Sequence, residues 1–395
     1  MTIRAATGRL HSQSPKRKQG RNNQNIMKHL ELVLVCILTL AGSSAFAQRW
    51  DLMTCPGENG GRREVKTEKD WNLRQKEICD AMQSVMGTLP DRNNLPPLDI
   101  RVDAVQEEKT FVRKTIRFTA AENETVPAYL YLPFGTGKRP AMLVPHETDD
   151  LGKRSVDGER PRPNRAYARE LARRGYVVIA PDYPSFGDMK DYDFKTARYA
   201  SGTMAGIFYH MRCVDLLQSL EEVDPDRIGV IGHSLGGHNS MFLAAFDSRL
   251  NVIVASCGWT LFSHYDIGPV GIQRYGGRLG PWAQDRYMPL LREKYQLDEK
   301  QIPFEFHEVI ALFAPRAFFS NSPLRDANFD VAGVRQGIEL ASKAYAFYRA
   351  EDNLQVRYPD ADHDFPPHVR LEAYRFIDRV LEFRPVLDDC LMVPE

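Results

Sequence analysis

The 395-residue sequence contains no Cys-x-x-Cys and no His-Glu-x-x-His spacing, the patterns that gather ligands around a metal ion. No metal is expected, and nothing calls for a cofactor. An excess of either charge sign is missing as well, because 52 Lys and Arg balance 52 Asp and Glu. With no basic stripe interleaved with aromatics, this balance gives no electrostatic case for a nucleic acid partner. Internal repeats are absent, and no low-complexity linker follows Gln48. The apolar run near the N-terminus, Leu30 to Leu40, is about half the ~20 residues that cross a bilayer. Cysteine is scarce, with six in the chain. Beyond Cys36, the odd set Cys55, Cys79, Cys213, Cys257 and Cys390 excludes complete pairing within one chain. Cys55 and Cys79 flank one segment and are the pair that an oxidising compartment would join. Cys257 ends an apolar run and reads as a buried small hydrophobe.

What is present is ordinary in bulk and specific in detail. Apolar residues make up 43% and charged residues 26%, as in a soluble globular chain long enough for a sizeable core. From Met27 come a short basic start (Lys28, His29), the apolar run, and small residues ending in Ala45-Phe46-Ala47. That layout predicts a secretory signal over 27–47, cut after Ala47, and a secreted or periplasmic product with no stable membrane anchor. Residues 1–26 read as an upstream extension, either not translated or disordered. Removal of this basic leader leaves a mildly acidic remainder. Residues 48–100 form an N-terminal segment expected to pack on the core, with a helix around Trp71–Met86. Residues 101–395 form the main domain.

Within that domain, "FVRKTIRFTA" and "VPAYLYLP" alternate apolar and polar residues and predict antiparallel strands. From Arg139 onward, apolar strands alternate with helices: "PAMLVP", "YVVIAPDYP", "RIGVIG", "NVIVASCG", "RAFFSN" and "LQVRYPD" are the strands. Such a pattern predicts an α/β fold, a mostly parallel sheet with helices on both faces. Active sites in such sheets lie at the C-terminal ends of the strands. Residues 258–307, after the sixth of these strands, are too long for a plain loop and rich in Gly, Pro, Tyr and Trp. They read either as a lid or substrate wall, or as a structural excursion over the sheet edge.

The decisive stretch is Gly232-His233-Ser234-Leu235-Gly236, lying between a predicted strand and a predicted helix. At so tight a turn a Cβ at either flanking position would collide with its neighbours, and glycine has none. The turn forces Ser234 into a strained backbone and lifts its Oγ above the sheet edge, beside a helix N-terminus. A serine hydroxyl needs a base, and the base needs an orienting carboxylate. His363, directly after the last strand, is the preferred base over His368. Asp326, after "RAFFSN", is the preferred acid over Asp330. Asp360, Asp362 and Asp364 read as solvated. The developing oxyanion needs donors. The backbone N–H of Leu235 is one, and the loop His146-Glu147-Thr148 offers the others, with Glu147 and Thr148 as the candidates. His146, Tyr183, His233 and Trp259 are candidate pocket residues.

These residues resemble the α/β-hydrolase superfamily, most closely its dienelactone hydrolase-like and acetyl xylan esterase-like branch, related to the catalytic domains of prolyl oligopeptidase-type peptidases. The resemblance covers about Val126–Phe383. "VDPDRIGVIGHSLGG" carries most of it, and "DADHDFP" is similar to the family's histidine loop. The Asp-x-Asn-Phe of Asp326–Phe329 is similar to the acid-bearing turn of the peptidase relatives. "LVPHETDDLGK" occupies the place of the family's oxyanion loop, with Glu147 where glycine is usual. Dienelactone hydrolases proper use a cysteine nucleophile, so their substrate does not carry over to a chain with Ser234.

The resemblance and the export signal imply a serine esterase acting on small carboxylic esters, acylated carbohydrates among them. Two alternatives stand beside it. One is a serine peptidase of the prolyl oligopeptidase type, disfavoured by the short segment ahead of the core. The other is a catalytically silent binding protein, disfavoured by the complete Ser, Asp and His set.

Overall fold

A computed structural model describes residues 51–159, 163–387 and 391. The expected signal, the upstream extension and Cys390 lie outside the described residues. A two-stranded hairpin, β1 (Thr54–Pro56) and β2 (Arg62–Glu64), leads into helix α1 (Glu68–Met86). Thr67 caps α1, its hydroxyl accepting from the Asp70 N–H while the Asp70 carboxylate accepts from the Thr67 N–H. Trp71, Ile78, Met82 and Val85 bury one face of α1 in the main core. Arg74 meets Glu308 at 2.5 Å across that interface, both side chains out of solvent.

Three antiparallel strands follow: β3 (Arg101–Glu107), β4 (Phe111–Ala121) and β5 (Glu124–Pro133). Six parallel strands complete the sheet: β6 (Arg139–Leu143), β7 (Val177–Pro181), β8 (Val223–His233), β9 (Leu250–Ser256), β10 (Ala317–Asn321) and β11 (Leu354–Arg357). The order is β11-β10-β9-β8-β6-β7-β5-β4-β3, with β7 antiparallel to β5.

The helices between these strands are α2 (Lys153–Val156), α3 (Tyr167–Arg174), α4 (Gly202–Ser219) and α5 (Leu235–Phe246). Then come α6 (Gly268–Tyr275), α7 (Leu290–Glu293), α8 (Phe306–Ala311), α9 (Val331–Phe347) and α10 (Pro367–Val380). Alternation along a strand sends successive side chains to opposite faces. Val252 and Val254 pack with Leu171 of α3 and Ile377 of α10, whereas Ile253 and Ala255 pack with Phe208 of α4 and Phe242 of α5. The centre of the sheet is therefore covered on both faces, where its parallel strands are mainly apolar. At about 1.5–3 kcal/mol per fully buried large apolar side chain, these two layers dominate the stability.

In the large sheet one strand, β3, escapes the sequence reading, as does the short β1–β2 hairpin. Every residue of β3 is solvent-exposed, Val102 and Val105 included, so it carries no buried face to generate a pattern. Backbone pairing with β4 alone makes it a strand. The 258–307 segment consequently follows the seventh strand of the large sheet, β9, rather than the sixth. That segment holds α6, α7 and short 3₁₀ turns. Cys55 and Cys79 are both free thiols. Among the described residues no helix is long and apolar enough to cross a membrane.

Candidate active site

Ser234 stands between β8 and α5 with φ 55° and ψ −117°, a conformation that costs a non-glycine residue about 1–3 kcal/mol. The turn explains its glycines. A Cβ on Gly232 would come within 2.2 Å of the Gly236 carbonyl, and one on Gly236 within 2.2 Å of the Pro145 carbonyl oxygen. The Ser234 N–H donates to Ser256 O at 2.8 Å, tying the bend to β9.

Asp326 and His363 come from the loops after β10 and β11. His363 Nδ1 lies 2.8 Å from Asp326 Oδ2. The other carboxylate oxygen, Oδ1, accepts from the N–H groups of Asn328 and Phe329. Phe329 stacks on the His363 ring at 5.9 Å between centroids, and the His233 ring lies on it at 4.9 Å. Among the described residues no hydrogen bond joins Ser234 Oγ to His363. Catalytic contacts of that kind are commonly long until substrate arrives. The alternatives are placed elsewhere: Asp330 caps α9 through the Ala332 N–H, and His368 begins α10.

Three acidic neighbours of His363 differ from one another. Asp360 and Asp362 are exposed and pair with Arg325. Asp364, expected to be solvated, instead accepts from Asn164 Nδ2 at 2.7 Å and from Arg165 Nη1 at 2.8 Å. The same Arg165 approaches Glu147 Oε1 at 3.8 Å and donates to His363 O at 3.4 Å. One guanidinium thus links the loop after β6 to the histidine loop. Nothing local in the sequence marks it, since its partners lie far along the chain.

Cys257 is buried as expected, but beside Asp326 and His363. It has φ 48°, and its thiol donates to Asp364 O at 3.2 Å. Burial, reinforced by the Asp326 carboxylate, pushes the thiol well above its ordinary range, so it stays protonated.

A cavity of about 380 Å³ opens on Ser234 and is lined by Thr148, Leu235 and His238, by Asn328 and Phe329, and by Tyr265, Tyr275, Trp282, Gln284 and Tyr287 of the 258–307 segment. None of the four expected pocket residues lines it. His146 is buried, its Nε2 accepting from the Tyr183 N–H at 3.0 Å. The Tyr183 hydroxyl donates to Arg286 O at 2.6 Å. His233 binds Ser256 Oγ through Nδ1 at 2.9 Å, and burial drives its pKa far below the usual value. Trp259 donates to Ser320 Oγ at 3.0 Å. All four buttress the site from behind. They were drawn from the strand ends, whereas the walls come from the segment whose irregular sequence hides which rings point inward.

Of the expected oxyanion donors, Leu235 and Thr148 border the cavity. Glu147 is buried with its side chain turned away, accepting from Ser155 Oγ at 3.2 Å. Among the described residues the amide N–H groups of Leu235, Glu147 and Thr148 donate to no protein acceptor.

The sequence pattern of the alpha/beta hydrolase family matches residues 161–388. The chain belongs to the alpha/beta hydrolase family. Among relatives of this hydrolase is a Bacillus subtilis (strain 168) protein assigned as the hydrolase YtaP, 29% identical over 308 residues, which cover 75% of this chain and 96% of that one. Another is the carbohydrate esterase MZ0003 from an unknown prokaryotic organism, 24% identical over 335 residues, with 71% and 75% covered. In three dimensions the glucuronoyl esterase from Solibacter usitatus superposes with a TM-score of 0.63 at 20% identity, over 82% of this hydrolase and 97% of the esterase. The shared fold is the one expected from the acetyl xylan esterase-like resemblance.

Proposed function

We propose that this hydrolase cleaves carboxylic esters, with Ser234 as nucleophile, His363 as base and Asp326 as the acid that orients it. The observation that carries the reading is the Asp326–His363 hydrogen bond set at the same sheet edge as the strained Ser234, which opens on the cavity. In this scheme His363 takes the Ser234 proton as Oγ attacks the ester carbonyl. The Leu235 N–H and an N–H of the 147–148 loop receive the oxyanion, because their donors are otherwise unused. Collapse expels the alcohol, protonated by His363, and leaves an acyl group on Oγ. Water, deprotonated by His363, then releases the acid. Esters of carbohydrates are the favoured class, since the relatives include a carbohydrate esterase. Export through the leader at 27–47 is part of the same reading, and sequencing the N-terminus of the secreted protein tests it.

The test of the chemistry is hydrolysis of p-nitrophenyl acetate with covalent labelling by a serine-directed phosphonate. Turnover and labelling that both vanish in Ser234→Ala support the scheme. Turnover that survives the change overturns it.

A further inference from the structure

The cavity at Ser234 is lined without a single Lys, Arg, Asp or Glu among the described residues. In a chain that is 26% charged, and at a site ringed by ion pairs, this is a specific property of the walls. Three of the lining groups that could ionise are held neutral by burial. Burial brings His238 down to about 3, and burial raises the Tyr265 and Tyr287 hydroxyls above their ordinary range. What remains is a set of flat rings, Tyr265, Trp282 and Tyr287 among them, with the neutral amides of Gln284 and Asn328 between them.

Resting on the ester-hydrolase reading above, we propose that the cavity is a subsite for a neutral, polyhydroxylated ring of pyranoside size and that it rejects carboxylate- or ammonium-bearing groups next to the scissile ester. Flat rings take the C–H face of such a group, and the neutral amides of Gln284 and Asn328 answer its hydroxyls, which both donate and accept. A volume of about 380 Å³ admits one such ring. A charged group entering here gives up part of its water and finds no counter-charge in the wall.

The experiment compares kcat/KM for acetyl esters of methyl xyloside, of methyl glucuronoside as the free acid, and of methyl glucosaminide as the ammonium form. The neutral ester is expected to lead both charged ones by about 10-fold, the order of cost of a charge left without a partner. In Gln284→Lys the ratio of glucuronoside to xyloside ester should rise by a similar factor, because a counter-charge now stands in the wall. Calorimetric binding of the same unacetylated pyranosides to Ser234→Ala protein reads the preference without turnover. A protein inactive on p-nitrophenyl acetate that still prefers the neutral sugar would sink only the esterase reading. Equal or better use of a charged ester, or a ratio unmoved by Gln284→Lys, overturns the proposal.

Discussion

His363 and Asp326 share a 2.8 Å hydrogen bond in which the carboxylate is itself anchored by two backbone N–H groups, from Asn328 and Phe329. The Asp326 carboxylate is thus held independently of the imidazole it binds. Asp326→Asn keeps the shape but allows the ring to settle in the wrong tautomer. Steady-state assays on p-nitrophenyl acetate should show kcat lowered by about 10³–10⁴-fold, with KM little changed.

Ser234 holds a positive φ that glycine would adopt without strain. Ser234→Gly should therefore abolish turnover while raising the unfolding free energy by about 1 kcal/mol. Urea denaturation of the two proteins side by side checks this; a variant less stable than the parent would show that the bend stores no strain.

Gly236 has the opposite character. A methyl there meets the Pro145 carbonyl oxygen at 2.2 Å, a backbone atom that cannot swing aside. Gly236→Ala should cost at least about 2 kcal/mol and loosen the loop bearing Glu147 and Thr148. Thermal unfolding reads the first effect, and a drop in kcat reads the second.

Arg165 connects Glu147 to Asp364 and to the His363 carbonyl. It does not line the cavity at Ser234. As a positioning residue it should affect kcat more than KM, and Arg165→Gln should lower kcat about 10-fold. Arg165→Lys should recover only part of this, because a compact ammonium cannot span both carboxylates as the planar fork does.

Acid should destabilise the fold through its buried histidines, His210, His233 and His238. Burial lowers His210 and His238 to about 3 each, so the folded protein keeps them neutral where the unfolded chain binds protons. Their stabilising effect is full above the unfolded value near 6.5 and is lost as pH falls from there toward 3. Urea midpoints should drop between pH 7 and pH 4.5. The drop should shrink in His210→Gln, which leaves the substrate cavity untouched. A midpoint flat over that interval contradicts the burial argument.

The fold was legible wherever apolar periodicity reports burial. The parallel strands β6 to β10 appear because apolar layers cover them on two faces, and β11 appears at the edge from its apolar residues between helices. β3 did not appear, because a wholly exposed strand is specified by its neighbour's backbone and not by its own side chains. Around the site, Ser234 was marked by backbone sterics, which leave a glycine signature in the sequence. Asp326 and His363 followed from chain order and the strand ends. The cavity walls and Arg165 were not legible, since contacts between residues such as Arg165 and Asp364, 199 apart, leave no local trace.

The residues assigned to bond-breaking sit on loops at the rim of the sheet, while most of the cavity wall is spelled by one continuous insertion after β9. Such a division makes the two roles separately exchangeable. A different insertion spliced between Ser256 and Phe306 could redirect the protein toward another ester while the reactive apparatus stays as it is.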